Sequence, residues 1–212
     1  MGTEKSVPLS GRRAQAARND GRILDAAREV FTADPGAPIS AVAERAGVGI
    51  SALYRRYGSK EELLQRLCAE GLQTYIAAAS DALSDGGDPW IAFADFMRRV
   101  VDADTHSLTL RLAGTFTPTE ELTRESRRAQ ELNVRLFGRT MAAGGIRPDI
   151  TVDDISMLLE QLAAVRVADE RRTLQLRHRY LALFLDALHV PSGSTLPGPP
   201  PGWEEISQRW ET

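Results

Sequence analysis

Two sets of side chains in this 212-residue chain have the types and spacing for chemistry. The first has a catalytic composition: His106 lies close to Asp102, Asp104 and Ser107. A hydrolytic site of that kind needs a strained elbow for its nucleophile and donors for an oxyanion, and nothing in the sequence supplies either. The paired glycines Gly86-Gly87 and Gly144-Gly145 fit neither a dinucleotide nor a P-loop fingerprint and read as helix stops. Cys68 is the one cysteine, and the three histidines are scattered, so neither an internal disulfide nor a Cys/His metal cluster is expected. Cys68 falls on an apolar helical face and reads as a small buried hydrophobe. No catalytic residue, metal or cofactor is predicted, and the chain does not read as an enzyme.

The second set is Ile50, Ser51, Tyr54, Arg55 and Arg56. Hydroxyls, guanidinium groups and an apolar contact at helical spacing suit phosphates and base edges. Arg55 and Arg56 are adjacent and point to different sides, so one at most faces bases well. Charge agrees with this placement. Residues 1–60 hold ten basic and six acidic side chains, net +4, while the remainder holds sixteen basic and twenty-three acidic, net −7. A basic end on an acidic body points to a polyanion contact at that end.

These residues need a scaffold, and segment 38–57, PISAVAERAGVGISALYRRY, provides one. It reads as helix, a three-residue turn at Gly47-Val48-Gly49, and a second helix, the helix-turn-helix layout. Val42, Ala46, Val48 and Leu53 would lock the two helices, and Ala43 is small enough for close crossing. A preceding helix is expected from Asp20, read as its N-cap, with Ile23, Ala27, Val30 and Phe31 on one face. Ser59 and Glu62 form a capping box that opens a long fourth helix. Further helices follow from Asp88, near Ser107, from the capping box Thr117-Pro118-Thr119-Glu120, from Thr151 and over about 170–189. No window alternates with period two between hairpin turns, so no strand is predicted. Residues 1–18 read as a basic arm, with Arg12, Arg13 and Arg18 able to reach phosphate or a minor groove. The Pro-rich run 191–202 ends the helical body.

With these residues in place the chain resembles a family. GRILDAAREVF followed by FTADPGAPISAVAERAGVGISALYRRYGSKEELLQRL is similar to the N-terminal domain of TetR-family transcriptional regulators. RPDITVDDISMLLEQL and RHRYLALFLDAL resemble the last two helices of the branch common in actinobacteria. The resemblance implies an all-α protein of about nine helices. Its parts would be an arm 1–18, a three-helix DNA-binding domain 19–58, a helical effector-binding and dimerisation domain 59–190, and a tail 191–212. It implies that a recognition helix from Gly49 to Tyr57 enters the major groove of double-stranded DNA. Ser40, Tyr54 and Lys60 then match phosphate-contacting positions. Many members carry Gly-Thr where this chain has Ser51-Ala52, so one threonine contact is missing and the Ser51 hydroxyl is new.

Three expectations complete the reading. Trp90, Phe93, Met97 and Phe116 are candidates to line the pocket of a largely apolar small-molecule effector, with Arg98, Arg99 or Arg111 as the alternative that would hold an anionic group. Ile155, Leu159 and Leu162, with Leu181 and Leu185, are candidates for a homodimer interface. The last helix carries a second apolar stripe, Leu176, Tyr180, Leu183 and Ala187, more than one core-facing side needs. A two-fold dimer would bind a pseudo-palindromic operator. With no apolar run long enough to span a membrane and no apolar signal core in MGTEKSVPLSGRR, a cytoplasmic regulator is expected, most simply a repressor released by its effector. An effector-independent or architectural DNA-binding protein, or a helical enzyme or adaptor carrying an ordinary αα-corner, remain the other readings.

Overall fold

The computed structural model describes residues 10–112, 114–189 and 195–207. The described residues form ten α-helices and no strand, apart from one isolated antiparallel bridge between Ile146 and His189. None of these helices is long and apolar enough to cross a membrane. The chain divides into two compact units, Met1–Leu67 and Cys68–Thr212. The division falls inside α4 (Lys60–Ser84) rather than at residue 58, because its buried Leu63, Leu64 and Leu67 belong to the first unit.

The first unit contains α1 (Ser10–Ala33), α2 (Ile39–Ala46), α3 (Ile50–Arg56) and the opening turns of α4. Helix α1 starts ten residues before Asp20, so that residue is not an N-cap and backbone 10–18 is not an arm. The Ala, Arg and Gln of RRAQAAR are good helix formers and carry the helix upstream without an apolar stripe. The side chains of Arg12, Arg13 and Arg18 lie outside the described residues. Ile23, Leu24, Ala27 and Phe31 of α1 are buried, as are Val42, Ala43, Ala46 and Leu53 of α2 and α3. Val48 is half-buried. Gly47 closes α2 at φ 64°, a left-handed conformation that costs glycine little. A Cβ there would also stand 3.1 Å from the Arg22 guanidinium, which donates to the Ala46 carbonyl.

The second unit is a helical body centred on α5 (Pro89–Asp102), which packs against α6 (Thr105–Leu112), α7 (Glu120–Ala142), α8 (Val152–Ala164) and α9 (Glu170–Leu188). Helix starts follow the sequence signals at Asp88 and Thr151, while α7 is capped by Thr119, two residues after the expected Thr117. The Asp88 carboxylate accepts from the Trp90 and Ile91 amides, Thr119 accepts from Leu122, and Thr151 with Asp154 forms a capping box. At the other end of α4, Arg139 of α7 donates to the carbonyls of Ala82, Leu83 and Asp85 and so caps the helix.

Two sets of predicted site residues in this unit take other roles. Ile155, Leu159, Leu162, Leu181 and Leu185 are buried within the single chain, none more than 5% exposed, so they are core and not interface. The inward stripes of α8 and α9 face α5 and each other. Phe93 and Met97 are fully buried in the same core. Trp90 stacks on His189 at 4.3 Å and touches Phe93 at 6.0 Å, while Phe116 lies in the loop after α6 and outside that cluster. The aromatic stripe is packed here against its own neighbours. Desolvation pushes the Cys68 thiol up to about 12, leaving little thiolate for redox chemistry at neutral pH.

A tenth helix, α10 (Trp203–Ser207), follows the Pro-rich run and lies beside α8. The Leu196 amide ties the tail to the Asp149 carboxylate. Trp203 is 48% exposed, and Trp210 lies outside the described residues.

Candidate nucleic-acid interface

Helix α3 is seven residues long and has one buried side chain, Leu53. Everything else on it is available for a partner or used to hold it in place, and the structure separates the two groups. Ile50 is 40% exposed and Tyr54 48% exposed, one helical turn apart. Ser51 and Arg55 are exposed beside them, and Ser40 is exposed at the start of α2. The side chains of Ser40, Ser51, Tyr54 and Arg55 make no hydrogen bond or ion pair with any described residue. Gly49, the residue before the helix, is exposed, and a Cβ there would meet nothing within 4 Å. This face carries a phenol, two hydroxyls, a guanidinium and an aliphatic group, all with unspent contact capacity. Two large apolar side chains on so short a helix are costly to leave in water and gain by burial against sugar or thymine methyl groups.

The three residues after this face are spent inside the unit. Asp20 of α1 accepts from both Nε and Nη2 of Arg56, at 2.8 and 2.6 Å, and from the Tyr57 hydroxyl. Tyr57 is 2% exposed, so its ring is core and not a DNA contact. The Arg56 hydrogen bonds are the largest influence on Asp20 and outweigh its burial, holding its carboxyl below the ordinary range. Lys60 is turned inward as well. Its ammonium donates to the Pro35 and Ala37 carbonyls, at 2.9 and 2.8 Å, and sits 5.0 Å from the centre of the Phe31 ring. It closes the α1–α2 loop onto the start of α4. The predicted recognition segment thus holds a presenting face, Ile50, Ser51, Tyr54 and Arg55, and an anchoring group, Arg56, Tyr57 and Lys60.

Asp20 is the residue that sequence reasoning misplaced. It is 36 positions from Arg56 and 37 from Tyr57, and no local periodicity connects them. The same holds for Arg45 of α2, which pairs with Glu29 of α1. Together these pairs fix α2 and α3 on α1.

A trihelical unit that pins a short helix by one end and presents its other face unbonded defines a helix-turn-helix DNA-binding protein. Comparison with known proteins agrees over most of the chain. Residues 23–67 match the family model for bacterial regulatory proteins of the tetR family, and residues 88–190 match the model for the C-terminal domain of SbtR-like transcriptional regulators. The chain belongs to the TetR family of transcriptional regulators. Among solved structures it is similar to a TetR regulator from Mycobacterium vanbaalenii, with 27% identity, TM-score 0.56, and 84% of this chain and 99% of that chain covered. A TetR regulator from Streptomyces coelicolor is 25% identical, with TM-score 0.56 and 82% and 99% covered. The TetR-like regulator LfrR from Mycobacterium smegmatis, solved with proflavine, shares the fold at 20% identity and TM-score 0.60, with 79% and 96% covered. No individually curated protein matches the chain. The family and these neighbours are transcription regulators, not enzymes.

Proposed function

We propose that this chain is a cytoplasmic homodimeric repressor that reads a pseudo-palindromic operator with the Ile50–Arg55 face and is released by a small-molecule effector bound in the second unit. The observation that carries the DNA contact is the separation on α3 of unbonded presenting residues from bonded anchoring ones. Ser40 and Tyr54 serve as phosphate contacts in this reading. Ser51, Ile50 and Arg55 read base edges.

Dimerisation is assigned to α9, on the apolar stripe that flanks its core face. Tyr180 is 40% and Leu183 55% exposed, Ala187 is exposed, and Leu176 is half-buried. These positions recur at helical spacing and make one continuous apolar strip. A second copy presenting the same strip would bury it in an isologous contact. A fold neighbour solved in complex with proflavine supports the reading that this chain takes a small molecule. Helix α4 contains residues of both units, so an effector that displaces it in the second unit changes its opening turns in the first. The coupling needs only ~1–3 kcal/mol.

The test is selection of binding sites from a random duplex pool, followed by affinity measurements on the consensus. The expected consensus has two-fold symmetry with half-sites about one helical turn apart. A consensus without symmetry, or no sequence preference above bulk DNA, would remove the reading.

A further inference from the structure

The second unit has a cleft away from the aromatic stripe. It lies where the end of α5 and the start of α6 meet α8 and α9. Val100, Leu159 and Leu162 are among its apolar walls, and its polar groups are Asp104, His106 and Arg177.

The charges in this cleft are already spent on each other. Arg177 is 5% exposed. Its Nη1 donates to the Asp104 carboxylate, its Nε to the Val165 carbonyl at 3.1 Å and its Nη2 to the Ala163 carbonyl at 3.0 Å. A carboxylate or phosphate entering here would meet a guanidinium whose charge is already paired with Asp104 and which has two of its five N–H donors left, with a carboxylate of its own sign beside it. A cation would meet Arg177. Both kinds of ion also lose hydration against apolar walls, a cost that only a free partner offsets.

His106 is the polar group of the cleft whose side chain is not already engaged with another cleft residue. Neither ring nitrogen bonds to a described residue, and the ring leans on Tyr75 with centroids 6.3 Å apart. Desolvation pushes the imidazole down to about 4, so at neutral pH it is uncharged and offers one N–H and one lone pair. That is the complement of a hydroxyl or carbonyl group.

We infer that this cleft is the effector site, and that it takes an uncharged molecule with a small apolar body and one hydroxyl or carbonyl group held by His106. The inference rests on the reading of the second unit as effector-responsive and adds the site and the ligand class. The enclosed space is about 10 Å³, the room of about one water molecule, so the ligand enters as the walls part. The turn before α6 is one of those walls. Asp104 stands there at φ 48°, a left-handed conformation that aspartate and asparagine adopt more readily than other residues with a side chain, and its bond to Arg177 holds it. A ligand that displaces this turn pulls on Arg177, which lies on the helix that also carries the Tyr180–Leu183 strip.

The experiment uses the full chain at neutral pH and two fluorine-labelled probes observed by 19F NMR. 4-Fluorobenzyl alcohol and 4-fluorobenzoate share a ring and differ in charge. The wild type is expected to bind the alcohol at least tenfold more tightly than the benzoate. His106→Leu keeps the apolar volume and is expected to weaken the alcohol about tenfold. Asp104→Asn retains a residue tolerant of the left-handed turn and frees the Arg177 charge. It is expected to reverse the preference, with benzoate now bound at least tenfold more tightly than the alcohol. A gain of anion binding cannot arise from a misfolded variant. Equal binding of both probes to the wild type, no binding of either, or an unreversed preference in Asp104→Asn overturns the inference. These readouts involve no DNA. Probe binding with this pattern but unchanged affinity for the selected operator would uphold the site and refute the effector-released repressor.

Discussion

Replacing Asp20 by asparagine sets two forces against each other with opposite signs. Asp20 is an acid in the DNA-binding unit, so removing its charge should by electrostatics alone strengthen binding to a polyanion. It is also the anchor of the recognition helix. Asparagine keeps one acceptor oxygen but turns an N–H₂ toward the Arg56 Nη2 that the second carboxylate oxygen now accepts from at 2.6 Å. Hydrogen bonds to charged groups contribute ~1.5–3 kcal/mol when enclosed, and exposed ion pairs ~0.2–1 kcal/mol. The Asp20 side chain is 18% exposed and that of Arg56 57%, which places the pair between these limits and gives a loss of about 1–2 kcal/mol. If the loss falls on the placement of α3, operator affinity drops ~5- to 30-fold. Fluorescence anisotropy on the selected operator and on a scrambled duplex reads both effects. The positioning account expects weaker operator binding with scrambled-duplex binding unchanged or slightly tighter. Equal or tighter operator binding would refute it. Acid supplies a second reading. The Asp20 carboxyl is held below its ordinary range, so its contribution is fully present above the unfolded value of ~3.9 and is lost as pH falls through the lower folded value. The wild type should therefore lose this contribution only below about pH 4, and a melting series should show no such step in Asp20→Asn.

Other substitutions follow from the same division of roles. Lys60→Ala should cost about 1–2 kcal/mol of stability by leaving the Pro35 and Ala37 carbonyls without their donor, and should leave the salt slope of DNA binding unchanged. A slope flatter by about one unit would restore Lys60 as a phosphate contact. Leu183→Glu, on the exposed strip of α9, should give a folded monomer by sedimentation, and a dimer that persists would displace the interface from α9. Leu159→Ala should instead leave the dimer intact and cost about 2–5 kcal/mol in denaturant unfolding, because Leu159 is 2% exposed in the core. Tyr54→Phe should weaken operator and scrambled duplex alike, and a loss confined to the operator would make it a base contact.

The fold and the presenting face were legible in the sequence because both rest on local rules. Gly47, Asp88 and Thr151 mark helix ends through their own backbone or side-chain bonds, and Val42, Ala46 and Leu53 show one helical face. Ile50, Ser51, Tyr54 and Arg55 sit on the opposite face for the same reason. The roles of Arg56, Tyr57 and Lys60 were not legible, because each depends on a partner on another helix or loop. Periodicity also finds that α9 has two apolar stripes but not which one turns inward. That is decided by the fit of Leu181 and Leu185 against α5, a property of the assembled core. The aromatic stripe of α5 illustrates the same limit: its spacing shows that one side avoids water, not whether that side meets a ligand or its own neighbours. Sequence reading placed Asp104 beside His106 but could not bring Arg177 to them, since Asp104 and Arg177 are 73 positions apart.

The central claim is that DNA sequence is read by the unbonded face of α3, and exchanging that face tests it most directly. A variant carrying Ile50→Ala, Ser51→Ala and Arg55→Ala retains Asp20, Arg56, Tyr57, Lys60 and the buried Leu53. It should keep its melting midpoint within a few degrees, since all three positions are exposed. Site selection with this variant should yield a different or featureless consensus, with about 1–3 kcal/mol of discrimination lost per base contact removed. Recovery of the wild-type consensus with undiminished discrimination would contradict the account.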